Sequence, residues 1–106
     1  MTAIRTVTRQ DAHEAIAARE NFRYSQSATG LWTSDVTVGE LNRKESAQLL
    51  KHLNKGLEFN EPSFIVFSYE TPIAAWNAKR GWWTTDRYFS RTTCRHQNFV
   101  RRGIND

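Results

Sequence analysis

The sequence predicts a single α+β domain, with a small antiparallel sheet of about three or four strands and helices packed on one face. Three observations carry that prediction. Three windows combine helix-start signals with apolar residues spaced three or four apart, and one apolar run is too short and too rich in β-branched and aromatic residues to be a helix. No repeat, low-complexity tract or long linker divides the 106 residues, and domains most often run to roughly 100 to 150 residues. Residues 1–106 are therefore read as one domain with one core.

Thr8 reads as an N-cap with Asp11 as a capping-box-like partner, and Ala12, Ala15 and Ile16 form the apolar stripe of a helix over about residues 9–20. Its alanines predict shallow packing. The segment NFRYSQSATGLWTSDVTVG, residues 21–39, has no helical period and is read mostly as loop, with one short strand within Leu31 to Val38. Asn42 with Glu45 is a second capping box, and Leu49, Leu50 and Leu53 ahead of Gly56 describe a helix over about residues 43–55. Phe64 to Phe67, between turn signals at Asn60 to Pro62 and at Glu70 to Pro72, is the core strand. Ile73 to Trp76 and Trp82 to Thr85, joined by NAKRG, complete an antiparallel meander. Ser90, Thr92 or Thr93 caps a last helix over about residues 93–102, with Phe99 and Val100 toward the sheet.

The net charge of +4 is unevenly spread. Residues 79–106 hold Lys79, Arg80, Arg87, Arg91, Arg95, Arg101 and Arg102 against Asp86 and Asp106, whereas residues 1–78 sum to −1. Eleven of the fifteen basic residues are arginine, whose planar fork holds phosphate or carboxylate bidentately and stacks on aromatic faces. A basic late segment with interleaved aromatics points to a polyanion or protein contact. The expected surface comprises Trp82, Trp83, Arg87, Tyr88, Arg91, Thr92, Thr93, Arg95, His96, Arg101 and Arg102. Strand alternation sends Trp82 and Trp83 to opposite faces.

Other function classes are narrowed by what is missing. No apolar run approaches the roughly 20 residues that span a bilayer, and the N-terminus turns polar before a signal-peptide core forms. A cytoplasmic protein without a membrane partner is expected. A single cysteine, Cys94, excludes an intramolecular disulfide and a Cys-based zinc motif, while His13, His52 and His96 are scattered without metal-ligand spacing. Neither a metal nor a cofactor is expected. His96 is the candidate general base should the protein be a small ribonuclease-like phosphodiesterase, but no spacing supplies the acid it would need.

Two stretches, SYETPIAAW at residues 68–76 and YFSRTTCRHQNFVRR at residues 88–102, resemble the paired SY-x-TPIAW and YS-x-TTSRHQ motifs of small uncharacterised proteins of actinobacterial bacteriophages. The chain departs from them by the extra Ala75, by Phe89 between Tyr88 and Ser90, and by Cys94 in place of serine. The resemblance implies an accessory protein acting inside a bacterial host cell, and it implies no catalytic residues. The leading expectation is a non-enzymatic protein that binds a host macromolecule, nucleic acid ahead of an acidic protein patch. The alternatives are the His96 phosphodiesterase and a binder of a small phosphorylated ligand at the Thr92 to Arg95 helix start.

Overall fold

The computed structural model describes residues 4–33, 37–53, 63–85 and 87–105. Among these residues, nine elements run in the order β1 (Arg5–Thr6), α1 (Arg9–Ala18), β2 (Phe22–Tyr24), β3 (Ala28–Thr33), α2 (Arg43–His52), β4 (Ser63–Ser68), β5 (Thr71–Asn77), β6 (Gly81–Thr84) and α3 (Arg91–Asn105). The six strands form one sheet in sequence order, antiparallel apart from the parallel pair β1–β2 that α1 connects. The α+β class holds, but the expected three or four strands become six. Residues 22–33, read mostly as loop, form two strands around a turn at Ser25 (φ 54°). Their Ser, Thr and Gly content is poor for a strand in isolation. Pairing of all six residues of β3 with β4 overrides that local preference. The expected extension of α2 to residue 55, its Gly56 stop and the turn at Asn60 to Pro62 lie outside the described residues, as do residues 34–36 of the strand expected within Leu31 to Val38.

The helices cover both faces of the sheet, a second correction. On one face, Phe64, Val66 and Ala74 pack with Ala12, Ala15 and Ile16 of α1 and Val100 of α3. On the other, Ile65 and Ala75 pack with Leu41 and with Leu49 of α2. Alternation along β4 makes this possible, because its residues are apolar on both sides and Phe64, Ile65 and Val66 are all buried. The same alternation sets two cross-strand rows. Trp32, Phe64, Trp76 and Trp82 are successive partners on the α1–α3 face, and Leu31, Ile65, Ala75 and Trp83 on the α2 face. Trp32 meets Phe64 and Trp76 at centroid distances of 5.8 Å, and Phe64 meets Trp82 edge-on at 6.2 Å. Such aromatic pairs add about 0.5–1.5 kcal/mol each beyond area burial.

A register shift between Val66 and Phe67 leaves Ile73 as an extra residue of β5, so that Ile73 and Ala74 both join the α1–α3 core. Pro72 sits beside this bulge, where a missing N–H is tolerated. The helix ends follow their signals. Thr8 accepts the Asp11 N–H at 3.3 Å, and Asn42 and Glu45 close a reciprocal capping box. At the end of α1, Arg19 adopts the left-handed conformation (φ 54°), with Arg19 N–H to Ile16 and Glu20 N–H to Ala15 as in a Schellman turn.

Gly30 and Gly103 are set by close approach. A Cβ on Gly30 would land on the Phe22 ring and within 2.9 Å of Phe64 Cζ. One on Gly103 of α3 would lie 2.7 Å from Ile16 Cγ2 and 2.8 Å from the His13 carbonyl oxygen, so α3 crosses α1 nearly backbone to backbone. The small residues Ala12 and Ala15 of α1, both buried, match that closeness. Replacing Gly103 by alanine is expected to force the two helices apart and lower stability by about 1–3 kcal/mol, despite alanine's better helix propensity. Thermal melts of parent and variant check this; an unchanged or higher melting temperature would contradict the crossing.

Candidate nucleic-acid interface

α3 has two polar faces with opposite tasks. Ser90 is its cap: the Thr93 N–H donates to Ser90 Oγ at 3.1 Å, and the helix begins two residues earlier than its sequence reading. At 100° per residue, Thr93, His96, Gln97, Val100 and Gly103 fall on one side of the helix, and all five are buried. Three of these are polar, so their hydrogen bonds must be made within the protein.

They are. Ser90 Oγ donates to Thr93 Oγ1 at 3.1 Å, Thr93 Oγ1 lies 2.8 Å from Ser68 Oγ, Ser68 Oγ lies 2.7 Å from His96 Nδ1, and His96 Nε2 lies 3.1 Å from Ser27 Oγ. Each hydroxyl has one proton to give. Ser68 and Ser27 each can give or accept a proton, so whichever ring nitrogen of His96 carries the hydrogen finds an acceptor and the other finds a donor. The ring is thereby satisfied as a neutral group, and burial pushes its pKa from 6.5 down to about 4. The segments 68–76 and 88–102, picked out separately in the sequence, meet here through Ser68, Ser90, Thr93 and His96.

A second polar seam joins Gln97 to the strand β6 exit and to α2. Gln97 Nε2 donates to the Thr85 carbonyl at 2.7 Å and the Arg87 carbonyl at 3.2 Å. Thr85 Oγ1 donates to Glu45 Oε2 at 2.6 Å, and Arg87 Nε donates to Glu45 Oε1 at 3.0 Å. Burial by itself raises the Glu45 carboxyl. Hydrogen bonds from Thr85, the Asn42 N–H and Arg87, with the Arg87 charge, outweigh it and hold the carboxyl below its ordinary value. Arg87 also donates to the Glu40 carbonyl at 2.8 Å and lies over the Phe89 ring at 4.1 Å. Among the described residues, no buried side-chain nitrogen or oxygen lacks a partner.

The opposite face of α3 is different. Arg91, Arg95, Asn98 and Arg102 lie in a stripe about 60° wide along it, all exposed. Among the described residues, Arg91, Arg95 and Arg102 have no hydrogen bond or ion pair, whereas Arg101 donates to Asn98 Oδ1 at 2.6 Å. Arg95, Asn98, Phe99 and Arg102 form one wall of a cleft of about 760 Å³, facing Thr8, Gln10 and His13 of the α1 end.

The expected surface residues thus separate into groups. Arg91, Arg95 and Arg102 are exposed and aligned, and Arg101 is exposed beside them; Tyr88 is 68% exposed just ahead of the helix, and Thr92 is half-buried. Thr93 and His96 are inside, with His96 only 2% exposed, because they lie on the face of α3 turned to the sheet. Arg87 is held by Glu45. Trp82 and Trp83 do point to opposite faces, and both are half-buried against the two cores. Sequence reasoning missed Ser27 and Ser68 as partners of His96, and Thr8, Gln10, His13 and Asn98 as cleft residues. Ser68 carried a signal, a lone hydroxyl closing the apolar run FIVF; the cleft residues of α1 carried none, because only the α1–α3 crossing brings them to Arg95.

Fold and site define a small α+β protein with a basic helix face bordering a cleft. The chain belongs to the Family of unknown function (DUF8033), whose model matches residues 16–103. No curated protein and no solved structure matches the chain. The matched span includes the whole Ser27–Ser68–His96 network and the arginine stripe, and excludes β1 and α1 up to Ala15. Among the described residues, no helix is long and apolar enough to cross a membrane.

The neutral state of His96 has a pH consequence. Its folded pKa is lowered, so the unfolded chain binds the extra proton between about 6.5 and 4. The stabilisation from keeping it neutral is full above pH 6.5 and is lost as pH falls through 4. The loss amounts to about 3 kcal/mol at 1.36 kcal/mol per pH unit. Glu45 adds to it below its ordinary value of 4.5. Unfolding free energies at a series of pH values are expected to show this slope, and His96→Gln is expected to flatten it between pH 6.5 and 4.5. An equally steep slope in the variant would contradict the assignment.

Proposed function

We propose that the protein binds nucleic acid through the arginine stripe of α3, as a non-enzymatic bacteriophage accessory protein working in the host cytoplasm. The observation that supports this most is the row Arg91, Arg95 and Arg102, exposed and without a partner among the described residues. Their axial spacings are about 6 and 10.5 Å at 1.5 Å per residue. Such a row contributes nothing to folding, since like charges four residues apart on a helix are mildly destabilising. It matches a polymer that carries a phosphate every few ångströms, and charge neutralisation would release counterions. An acidic protein patch shares this electrostatic match but not the response to salt or to generic nucleic acid. The phosphodiesterase reading loses its base, because both ring nitrogens of His96 are engaged and the ring is out of reach of a phosphodiester.

Fluorescence anisotropy with labelled single-stranded RNA, single-stranded DNA and duplex DNA at two salt concentrations tests the reading. The parent is expected to bind more weakly at higher salt. The triple variant Arg91→Ala, Arg95→Ala, Arg102→Ala is expected to lose at least about tenfold in affinity and about two units of the log–log salt slope, at 0.7–0.9 per phosphate contact. Arg87→Ala is expected to do the reverse, lowering the melting temperature through loss of the Glu45 pair while keeping the salt slope. Absence of salt-sensitive binding to all three polymers would overturn the proposal in favour of a protein partner.

A further inference from the structure

We infer that the cleft between α1 and α3 holds one unpaired nucleotide of a bound single strand, its phosphate on Arg95 and Arg102 and its base against Phe99. This rests on the nucleic-acid reading above and narrows it from any polyanion to a single strand. The cleft, at about 760 Å³, is a concave surface open to solvent, with room for one nucleotide to lie against its wall. A paired base cannot enter such a space without first leaving its stack, which costs a few kcal/mol that an unpaired base does not spend.

The lining supplies a partner for each part of a nucleotide. Arg95 and Arg102 stand about two turns apart along α3, and their guanidiniums have no partner among the described residues. Phe99 lies between them in sequence and is half-buried, with Tyr24 edge-on at 5.1 Å and the His96 ring at 6.0 Å. Those two neighbours hold the ring in place while it remains part of the cleft wall. Aromatic rings so held are stacking platforms for bases. Arg101 occupies Asn98 Oδ1, which orients the amide and leaves Nδ2 to donate. Gln10, across the cleft, offers both a donor and an acceptor. Amide side chains pair with base edges in this way. A flat surface of arginines would take a duplex as readily as a single strand; a concave one with a ring and two amides favours the strand whose bases are free.

The test compares a labelled single-stranded oligonucleotide with a duplex of the same length at one salt concentration, for the parent and two variants. Phe99→Leu removes the ring and keeps apolar bulk, with a thermal melt run alongside because Phe99 also packs inward. The pair Gln10→Ala with Asn98→Ala changes exposed residues alone. The parent is expected to bind the single strand about tenfold or more tighter than the duplex, from stacking of one unpaired base. Each variant is expected to lose about fivefold or more of the single-strand affinity and none of the duplex affinity. Equal binding of both forms by the parent, or parent-like single-strand binding by both variants, would overturn the cleft inference and leave the arginine stripe standing. No binding of either polymer would overturn both.

Discussion

The position of α3 depends on the complete pairing of the polar groups it carries into the interior. Thr93, His96 and Gln97 leave water when the helix docks, and each unmade hydrogen bond there would cost about 1–3 kcal/mol. The partners come from three separate places: Ser27 after β2, Ser68 at the end of β4, and the Thr85 and Arg87 carbonyls after β6. Apolar packing by Val100 would tolerate a small rotation of the helix. Directional bonds to fixed partners do not, so the seam determines which residues of α3 face outward.

That constraint connects the interior to the surface. With the sheet-facing side fixed by the hydroxyl–imidazole chain, Arg91, Arg95 and Arg102 are left together on the opposite side, and Gly103 brings the C-terminal half of α3 against Ile16 of α1. The cleft is the space left where two closely crossed helices diverge. It owes its arginines to α3 and its hydroxyl and amide to Thr8 and Gln10. The sheet beneath is stiffened by the aromatic row from Trp32 to Trp82 and by burial of β4 on both faces, which gives the two helices a firm base.

The chemistry of the two faces of α3 differs because solvent differs. A histidine among arginines reads in one dimension as part of a basic, reactive segment. In the folded protein it is neutral, doubly bonded and enclosed, a structural element whose value is specificity of docking. The same enclosure withdraws Arg87, whose charge is spent on Glu45. What remains on the outer face of α3 is positive charge without a partner among the described residues.

Local signals carried the parts of the fold that local physics controls. Thr8 and Asn42 are read as caps, and Ser90 as one of three candidates with Thr92 and Thr93, because a hydroxyl or amide at a helix start meets free N–H groups whatever lies beyond. Phe64 to Phe67 is read as the core strand because no other element suits a short β-branched and aromatic run. The basic pole of the last quarter and the opposite faces of Trp82 and Trp83 were legible for the same reason. Residues 22–33 were not, because Ser, Thr and Gly become strand only when β4 supplies the ladder. Nor was the placement of α2 on the second face, since apolar positions in a helix do not say which side of a sheet they will meet. The inward turn of His96 and Thr93 and the meeting of Gln10 with Arg95 belong to the tertiary structure alone. Charge and periodicity are properties of neighbours along the chain, whereas burial and convergence are decided by residues tens of positions away.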